Sequence, residues 1–228
     1  MVTPPVLELE SVSKHYGALR PLRIAELTLA AGEQVALIGL DQPAAEVLVN
    51  LITGGSLPDG GEVRIFGRST AAISNSEEWL ATLDRFGIVS DRAALLEALT
   101  TIQNLALPFT LEIEPPPDHI RRQAEAIAGE IRLDRSALDR RAGDLSAAAR
   151  LRLRFARALA MNPLLLLLEH PSASLGRAEA LQVGPDMRRA AEHRHLAALT
   201  LTADREFGAA IARRVLLLEP ATGRLRRR

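Results

Sequence analysis

The chain has 228 residues, of which 47% are hydrophobic, 25% charged and 3% aromatic. This length and balance are typical of one globular domain with a largely aliphatic core. Basic and acidic side chains number 28 each, and this balance argues against a basic nucleic-acid-binding surface. Cysteine is absent, which excludes disulfides, thiol nucleophiles and cysteine-ligated metals.

The first third of the chain has the pattern of strands joined by tight turns. Alternating apolar and polar residues predict strands over residues 7–12 and 24–29, and a short apolar run predicts a buried strand over 34–39. Apolar residues at helical spacing predict a helix over 44–53, which Gly54 and Gly55 end. A glycine-rich turn at 58–61 then leads into a strand over 62–66.

The middle of the chain is predicted to be mainly helical. Residues 95–107 are ambiguous, the prolines at 115–117 break the chain, and helices follow over 118–131 and over 147–161, the second with Ser146 as its N-cap. In the last third we predict strands over 164–168, 196–202 and 215–218, helices over 177–194 and 205–213, and an edge strand or tail over 223–228. Gly184 and Pro185 should bend or interrupt the first of these helices.

This alternation of strands and helices predicts an α/β fold with a mostly parallel sheet covered by helices. The helical subdomain, at about residues 90–162, is inserted between the two parts of the α/β core, residues 1–89 and 163–228. We expect the buried strand at 35–38 to lie beside the leucine-rich strand at 164–168.

Four stretches, in this order, resemble the nucleotide-binding subunit of an ABC transporter over essentially the whole chain: LELESVSKHYG at 7–17, AGEQVALIG at 31–39, PDGGEVRIFG at 58–67, and ARALA with PLLLLL within 156–168. The resemblance implies a P-loop NTPase-like fold of one domain with an N-terminal antiparallel β part. It also implies that Tyr16 stacks on adenine; the alternative is that this side chain covers the first strand.

The phosphate loop departs from the family pattern. That pattern, G-x-x-x-x-G-K-[ST], wraps phosphates in backbone N–H groups and supplies a lysine and a magnesium-binding hydroxyl. The aligned stretch, GLDQPAAEV at 39–47, keeps Gly39 and has Asp41 within the loop, but Ala45 stands in the lysine position and Glu46 in the hydroxyl position. Together these substitutions remove one positive charge and add one negative charge beside the triphosphate. Two unit charges at about 4 Å interact by on the order of 4 kcal/mol at an effective dielectric near 20. We therefore expect weak MgATP binding or none.

The other motifs are altered as well. The resemblance places Asp91 where the family has the glutamine that links nucleotide to the transmembrane partner, and the signature LSGGQ reads LSAAA, which keeps Ser146. The Walker B pair Asp-Glu becomes Glu169 and His170, and the switch histidine becomes Ala203. His170 is either a substitute general base or a structural polar residue.

We therefore interpret the chain as a degenerate subunit, a pseudo-ATPase that docks on a transmembrane permease or on a competent ATPase subunit, with a homodimer also open. We expect no cofactor and no metal site, and we read the pair His193 and His195 as solvated. No apolar run is long enough for a membrane span and no signal peptide is recognisable, which predicts a cytoplasmic protein at the inner face of the membrane. The alternatives are a working ATPase that energises transport, and a scaffold outside any transporter.

Overall fold

The computed structural model describes residues 4–227, so residues 1–3 of the segment searched for a signal peptide and residue 228 of the predicted tail lie outside it. The strands are β1 (Leu7–Lys14), β2 (Leu22–Leu29), β3 (Gln34–Ile38), β4 (Gly60–Ile65), β5 (Arg68–Ser69), β6 (Phe86–Val89), β7 (Leu165–Glu169), β8 (Ala197–Thr202), β9 (Arg214–Glu219) and β10 (Arg224–Arg227). The helices are α1 (Gln42–Ile52), α2 (Ser76–Leu83), α3 (Thr101–Ala106), α4 (Asp118–Glu130), α5 (Ala147–Ala160), α6 (Arg177–His193) and α7 (Arg205–Ile211).

The N-terminal strands form an antiparallel sheet of order β2-β1-β4-β5, as predicted. Leu9 of β1 lies opposite Leu27 on one side and Val63 on the other. The turn before β4 is attached to the end of β1, because the ammonium of Lys14 lies 2.7 Å from the carboxylate of Asp59. This sheet therefore has a buried apolar face and a charged end.

The second sheet has the order β10-β9-β3-β8-β7-β6, and only β10 runs antiparallel to its neighbour. The expected adjacency of the two buried strands is wrong, because β8 lies between β3 and β7. The crossover through α6 returns the chain beside β7, and β8 is itself buried along its whole length. Alternate leucines of β7 enter the two cores on opposite faces of the sheet, Leu166 and Leu168 on one and Leu165 and Leu167 on the other.

Three helices, α3 to α5, lie between β6 and β7 in the chain. The ambiguous region at 95–107 contains only the short α3, which begins at a capping box formed by Thr100 and Gln103. Helix α2, with Trp79 donating a hydrogen bond to the Thr53 carbonyl at 3.1 Å, was not predicted. The division into core and helical subdomain stays a prediction.

Helix α6 continues through Pro185, so the helix is not interrupted there, while the alternative of a bend stays a prediction. Gly184 faces α7, where an added Cβ would lie 3.1 Å from the Ala210 Cβ. The absence of a side chain at Gly184 therefore lets α6 and α7 pack closely beside the proline. Within residues 4–227, no helix combines the length and the apolar character that crossing a bilayer requires.

Candidate functional site

The candidate site lies at the carboxyl edge of the second sheet, where neighbouring strands end together. Ile38 of β3 pairs with Thr202 of β8, and Leu201 of β8 pairs with Glu169 of β7. The residues that follow these strands, among them Gly39, His170 and Ala203, therefore share one edge of the sheet. Ligands of open α/β sheets bind at this edge.

The loop after β3 caps the following helix with its own carboxylate. Gly39 has a φ of +106°, and a Cβ there would lie 3.0 Å from the Leu218 carbonyl oxygen, so the position requires glycine. The Asp41 side chain accepts a hydrogen bond from the Ala44 amide at 2.9 Å. Helix α1 therefore begins at Gln42, two residues before the predicted start, because Asp41 is a strong N-cap.

The two substituted loop positions lie on α1. Ala45 is completely buried, so its methyl group belongs to the core. Glu46 is partly buried and accepts a hydrogen bond from the side-chain amide of Gln42 at 3.3 Å. Neither an ammonium nor a hydroxyl is therefore present at these two positions. In addition, the negatively charged carboxylate of Asp41 lies at the N-terminus of α1, which is the positive end of the helix dipole.

Glu169, at the end of β7, is a buried carboxylate with an arginine partner. Its side chain has no exposed surface, and one oxygen lies 2.6 Å from the Arg92 Nη2. The other oxygen accepts a hydrogen bond from the Gln42 side-chain amide. Arg92 and Gln42 were not predicted from the sequence; the available signal was only the position of Arg92, next to Asp91 and just after a buried strand.

Asp91 does not reach Glu169. Its carboxylate pairs with Arg154 of α5 at 3.0 Å and is 70% exposed. The segment after β6 is thus attached to α5 through one residue and to β7 through the next. Ser146, at the far end of α5, accepts a hydrogen bond from the Ala149 amide at 3.2 Å and so caps that helix, as predicted.

His170 and Ala203 directly follow β7 and β8, and their roles stay predictions. His170 has a φ of +42°, and its Nε2 is buried without a hydrogen-bond partner in the part of the chain that the structure describes. Ala203 is exposed and has no polar side-chain atom. His193 and His195 are exposed, and the described residues contain no cluster of three or more potential metal ligands.

A cavity of about 550 Å³ adjoins the loop after β3. Its lining includes Tyr16, Arg20, Arg23, Gly39 and Asp41. Burial raises the pKa of the Tyr16 hydroxyl, and the negative charge of Asp41 raises it further. The cavity therefore joins an aromatic ring and two guanidinium groups, and its volume is typical of small-ligand sites.

The comparisons with known proteins identify the family. A family model described as "ABC transporter" matches residues 22–173. This chain belongs to the ABC transporter family. It is 30% identical over 217 residues to the sulfate/thiosulfate import ATP-binding protein CysA of Methylococcus capsulatus, covering 93% of the chain and 60% of that relative. The chain thus spans about three fifths of that relative's length.

Another ABC relative has nearly the same length. The lipoprotein-releasing system ATP-binding protein LolD of Psychrobacter arcticus is 30% identical over 217 residues, covering 93% of the chain and 95% of LolD. Among solved structures, the dimeric ATP-binding cassette MJ0796 bound to ADP and Pi superposes with a TM-score of 0.76 at 21% identity, over 97% of the chain and 98% of the cassette. CbiO1 of Clostridium perfringens, part of the ABC transporter complex cbiONQ, superposes with a TM-score of 0.81 at 17% identity, over 98% of the chain and 88% of CbiO1.

These relatives confirm the predicted family and fold, and they correct one expectation. Two are named as ATP-binding proteins and a third is described with ADP and Pi, so the expectation of a cofactor-free protein is wrong for a member of this family. The expected kinds of partner, a second subunit and a transport complex, match relatives described as a dimer and as part of a transporter complex.

The residues present fit the two ends of an ATP molecule unequally. The cavity beside Tyr16 has the size and the aromatic wall that a nucleoside requires. The magnesium-triphosphate end does not fit: Asp41 caps α1, Ala45 offers no ammonium, and Arg92 is bonded to Glu169.

Proposed function

We propose that this chain is an ABC-transporter subunit that docks on a membrane permease at the inner face of the membrane and whose own site hydrolyses ATP very slowly or not at all. The Asp41 carboxylate carries this proposal, since it occupies the N-terminus of α1, where a P-loop receives phosphates. Its charge opposes a triphosphate, and no lysine in the loop compensates it. We place nucleotide binding in the cavity beside Tyr16.

A groove of about 200 Å³ between β6 and α5 supports the docking part of the proposal. Its lining includes Phe86, Ile88, Pro108, Arg157 and Met161. Arg157 donates a hydrogen bond to the Ala94 carbonyl at 2.8 Å, and burial lowers the pKa of its guanidinium. The occupant that fits this mixed lining is a short cytoplasmic segment of a permease with apolar side chains and one carboxylate.

The experiment co-purifies the chain with a candidate permease and measures both association and MgATP hydrolysis. Met161→Asp, on the rim of the groove where this side chain is 55% exposed, should weaken association at least tenfold, because a carboxylate then enters an apolar contact. Leu181→Asp is the matched control, because Leu181 is 40% exposed on α6 and does not line the groove. Equal retention of both variants by the permease contradicts docking through this groove.

A working ATPase is the second candidate function, and the LolD match favours it, since the two chains align over 93% and 95% of their lengths. The same preparation distinguishes the candidates. A steady-state rate of about 1 per second or more is typical of enzymes and would support the second candidate. A rate at background, with nucleotide still bound, supports the first.

A further inference from the structure

The segment that follows β6 places the guanidinium group of Arg92 in the candidate site. Arg92 lies in an exposed segment, and its side chain is 45% exposed, yet its Nη2 is 2.6 Å from a carboxylate oxygen of Glu169. The Glu169 side chain is fully buried. A buried carboxylate without a counter-charge is strongly unfavourable, so this pair is essential to the local structure.

A second carboxylate lies close to the same place. The Gln42 side-chain amide donates hydrogen bonds to both Glu46 and Glu169, which links the two acids through one group. Among residues 4–227, Arg92 is the cationic side chain within ion-pair distance of Glu169, and Glu46 has no such partner. The position therefore combines two acids with a single guanidinium.

The neighbouring residue attaches the segment on its other side. Asp91 pairs with Arg154 of α5 at 3.0 Å, while Arg92 bonds to β7. The Ala93 and Ala94 amides complete the turn by donating to the Ser90 and Arg92 carbonyls at 3.2 and 2.9 Å. Two consecutive side chains thus hold the turn between the sheet and α5.

We propose that Arg92 is a built-in cation that determines what the site binds: its guanidinium fills the position beside Glu169 that a divalent cation takes beside the Walker B carboxylate of P-loop NTPases. The turn at residues 90–94 is held against the sheet before any ligand arrives. A divalent cation reaches Glu169 only by displacing Arg92. This inference depends on the ion pair alone and requires neither docking nor ATP turnover.

The test compares Arg92→Gln with the wild type in thermal unfolding, with and without millimolar MgCl₂ and no nucleotide. We expect the wild-type melting temperature to be insensitive to Mg²⁺. Arg92→Gln should melt at a lower temperature and recover part of the loss in Mg²⁺, because its two acids are left without a cation. Arg122→Gln, which removes an exposed arginine of α4 that forms no ion pair within residues 4–227, is the matched control and should show no Mg²⁺ response.

Hydrogen exchange gives a local measurement of the same contact. The Ala93 and Ala94 amides should exchange about tenfold faster in Arg92→Gln and return towards the wild-type rate in Arg92→Lys, which keeps a cation. If Arg92→Gln does not fold, the double variant that also carries Glu169→Gln should fold, because the buried carboxylate of Glu169 is then replaced by a neutral amide. The proposal is overturned if Mg²⁺ stabilises the wild type as much as the variant, or if exchange at these amides is unchanged.

Discussion

The carboxylate of Asp41 accepts a hydrogen bond from the Ala44 amide at 2.9 Å and so places a negative charge at the N-terminus of α1. The cap and the charge can be separated by substitution, because asparagine caps helices about as well as aspartate. The stability of α1 and the affinity of the site for anions therefore depend on different properties of one side chain.

Asp41→Asn should leave the free energy of unfolding unchanged and tighten the binding of ATP by about tenfold, since one repulsive charge is removed. Asp41→Ala should tighten binding similarly but lower the free energy of unfolding by about 1 kcal/mol, because the cap is lost. Calorimetry and urea denaturation measure the two effects. An Asn variant with unaltered affinity would show that the charge does not oppose phosphate.

Restoring the phosphate loop should improve binding without producing an enzyme. Ala45→Lys combined with Glu46→Ser repairs two charges, but Arg92 remains on Glu169 and no γ-phosphate contact returns at Ala203. Groups that act as a unit are strongly non-additive, so mending one defect recovers little rate. We expect tighter nucleotide binding with turnover well below about 1 per second. A rate at or above that value would mean that the remaining residues are already competent.

The signature segment gives a prediction about a partner subunit. Ser146 caps α5 through the Ala149 amide, but Ala147 and Ala148 carry Cβ atoms where the family has glycines. If the chain completes a partner's site, Ala147→Gly with Ala148→Gly should raise the partner's ATPase rate, although each glycine costs about 1 kcal/mol of helix stability. An unchanged rate in the assembled complex argues for a scaffold role.

The carboxylate of Asp186 should be important for stability. It lies 2.8 Å from Arg152, which is 16% exposed, while its own side chain is 9% exposed. Asp186→Ala should lower the free energy of unfolding by about 3–5 kcal/mol, because a largely buried arginine loses its counter-charge. Asp139→Ala is the control: Asp139 also pairs with an arginine, at 3.1 Å, but is 77% exposed, so its loss should cost at most about 1 kcal/mol.

Asp59 should make folding depend on pH in the acid range. The His15 backbone N–H and then the Lys14 ammonium hold the pKa of Asp59 below its usual value. A carboxyl group with a lowered folded pKa stabilises the fold above its unfolded pKa of about 3.9, and loses that contribution as the pH falls through the folded pKa. Wild type and Asp59→Asn should therefore differ in urea stability at pH 7 and converge near pH 2.

Lys14→Gln is the informative control for that experiment. The backbone hydrogen bond is the largest single cause of the lowered pKa, so this variant should keep part of the pH dependence. Complete loss of the dependence in Lys14→Gln would assign the effect to the ion pair instead.

The strands and most helices could be predicted from periodicity because their apolar faces are intact; β7, with five leucines in and before it, is the plainest case. Helix α2 was missed because none of its residues is buried, so it has no apolar stripe. Helix α6 continues through Pro185 and packs closely against α7 at Gly184, a tertiary contact that one-dimensional patterns do not contain.

The site positions could be found by resemblance, but their contacts could not. Asp41 and Glu46 are predicted as vestigial nucleotide-binding positions and Glu169 as a degenerate catalytic position, and these stay predictions; the structure adds a hydrogen bond within the chain for each of the three. The partners that explain them, Gln42 and Arg92, are far apart in sequence from Glu169 and follow no motif. A sequence shows which residues are missing from a pattern more readily than which ones have replaced them.

The scarcity of lysine has a practical consequence for chemistry on this protein. Lys14 offers amine-reactive reagents their only lysine side chain, two residues before Tyr16 in the sequence. Its contact with Asp59 protects the amine, so the labelling rate reports whether the turn before β4 stays attached to β1. Lysine-to-lysine cross-linkers will map this chain's assemblies through one position, and carboxylate- or arginine-directed reagents are the better choice for locating its partners.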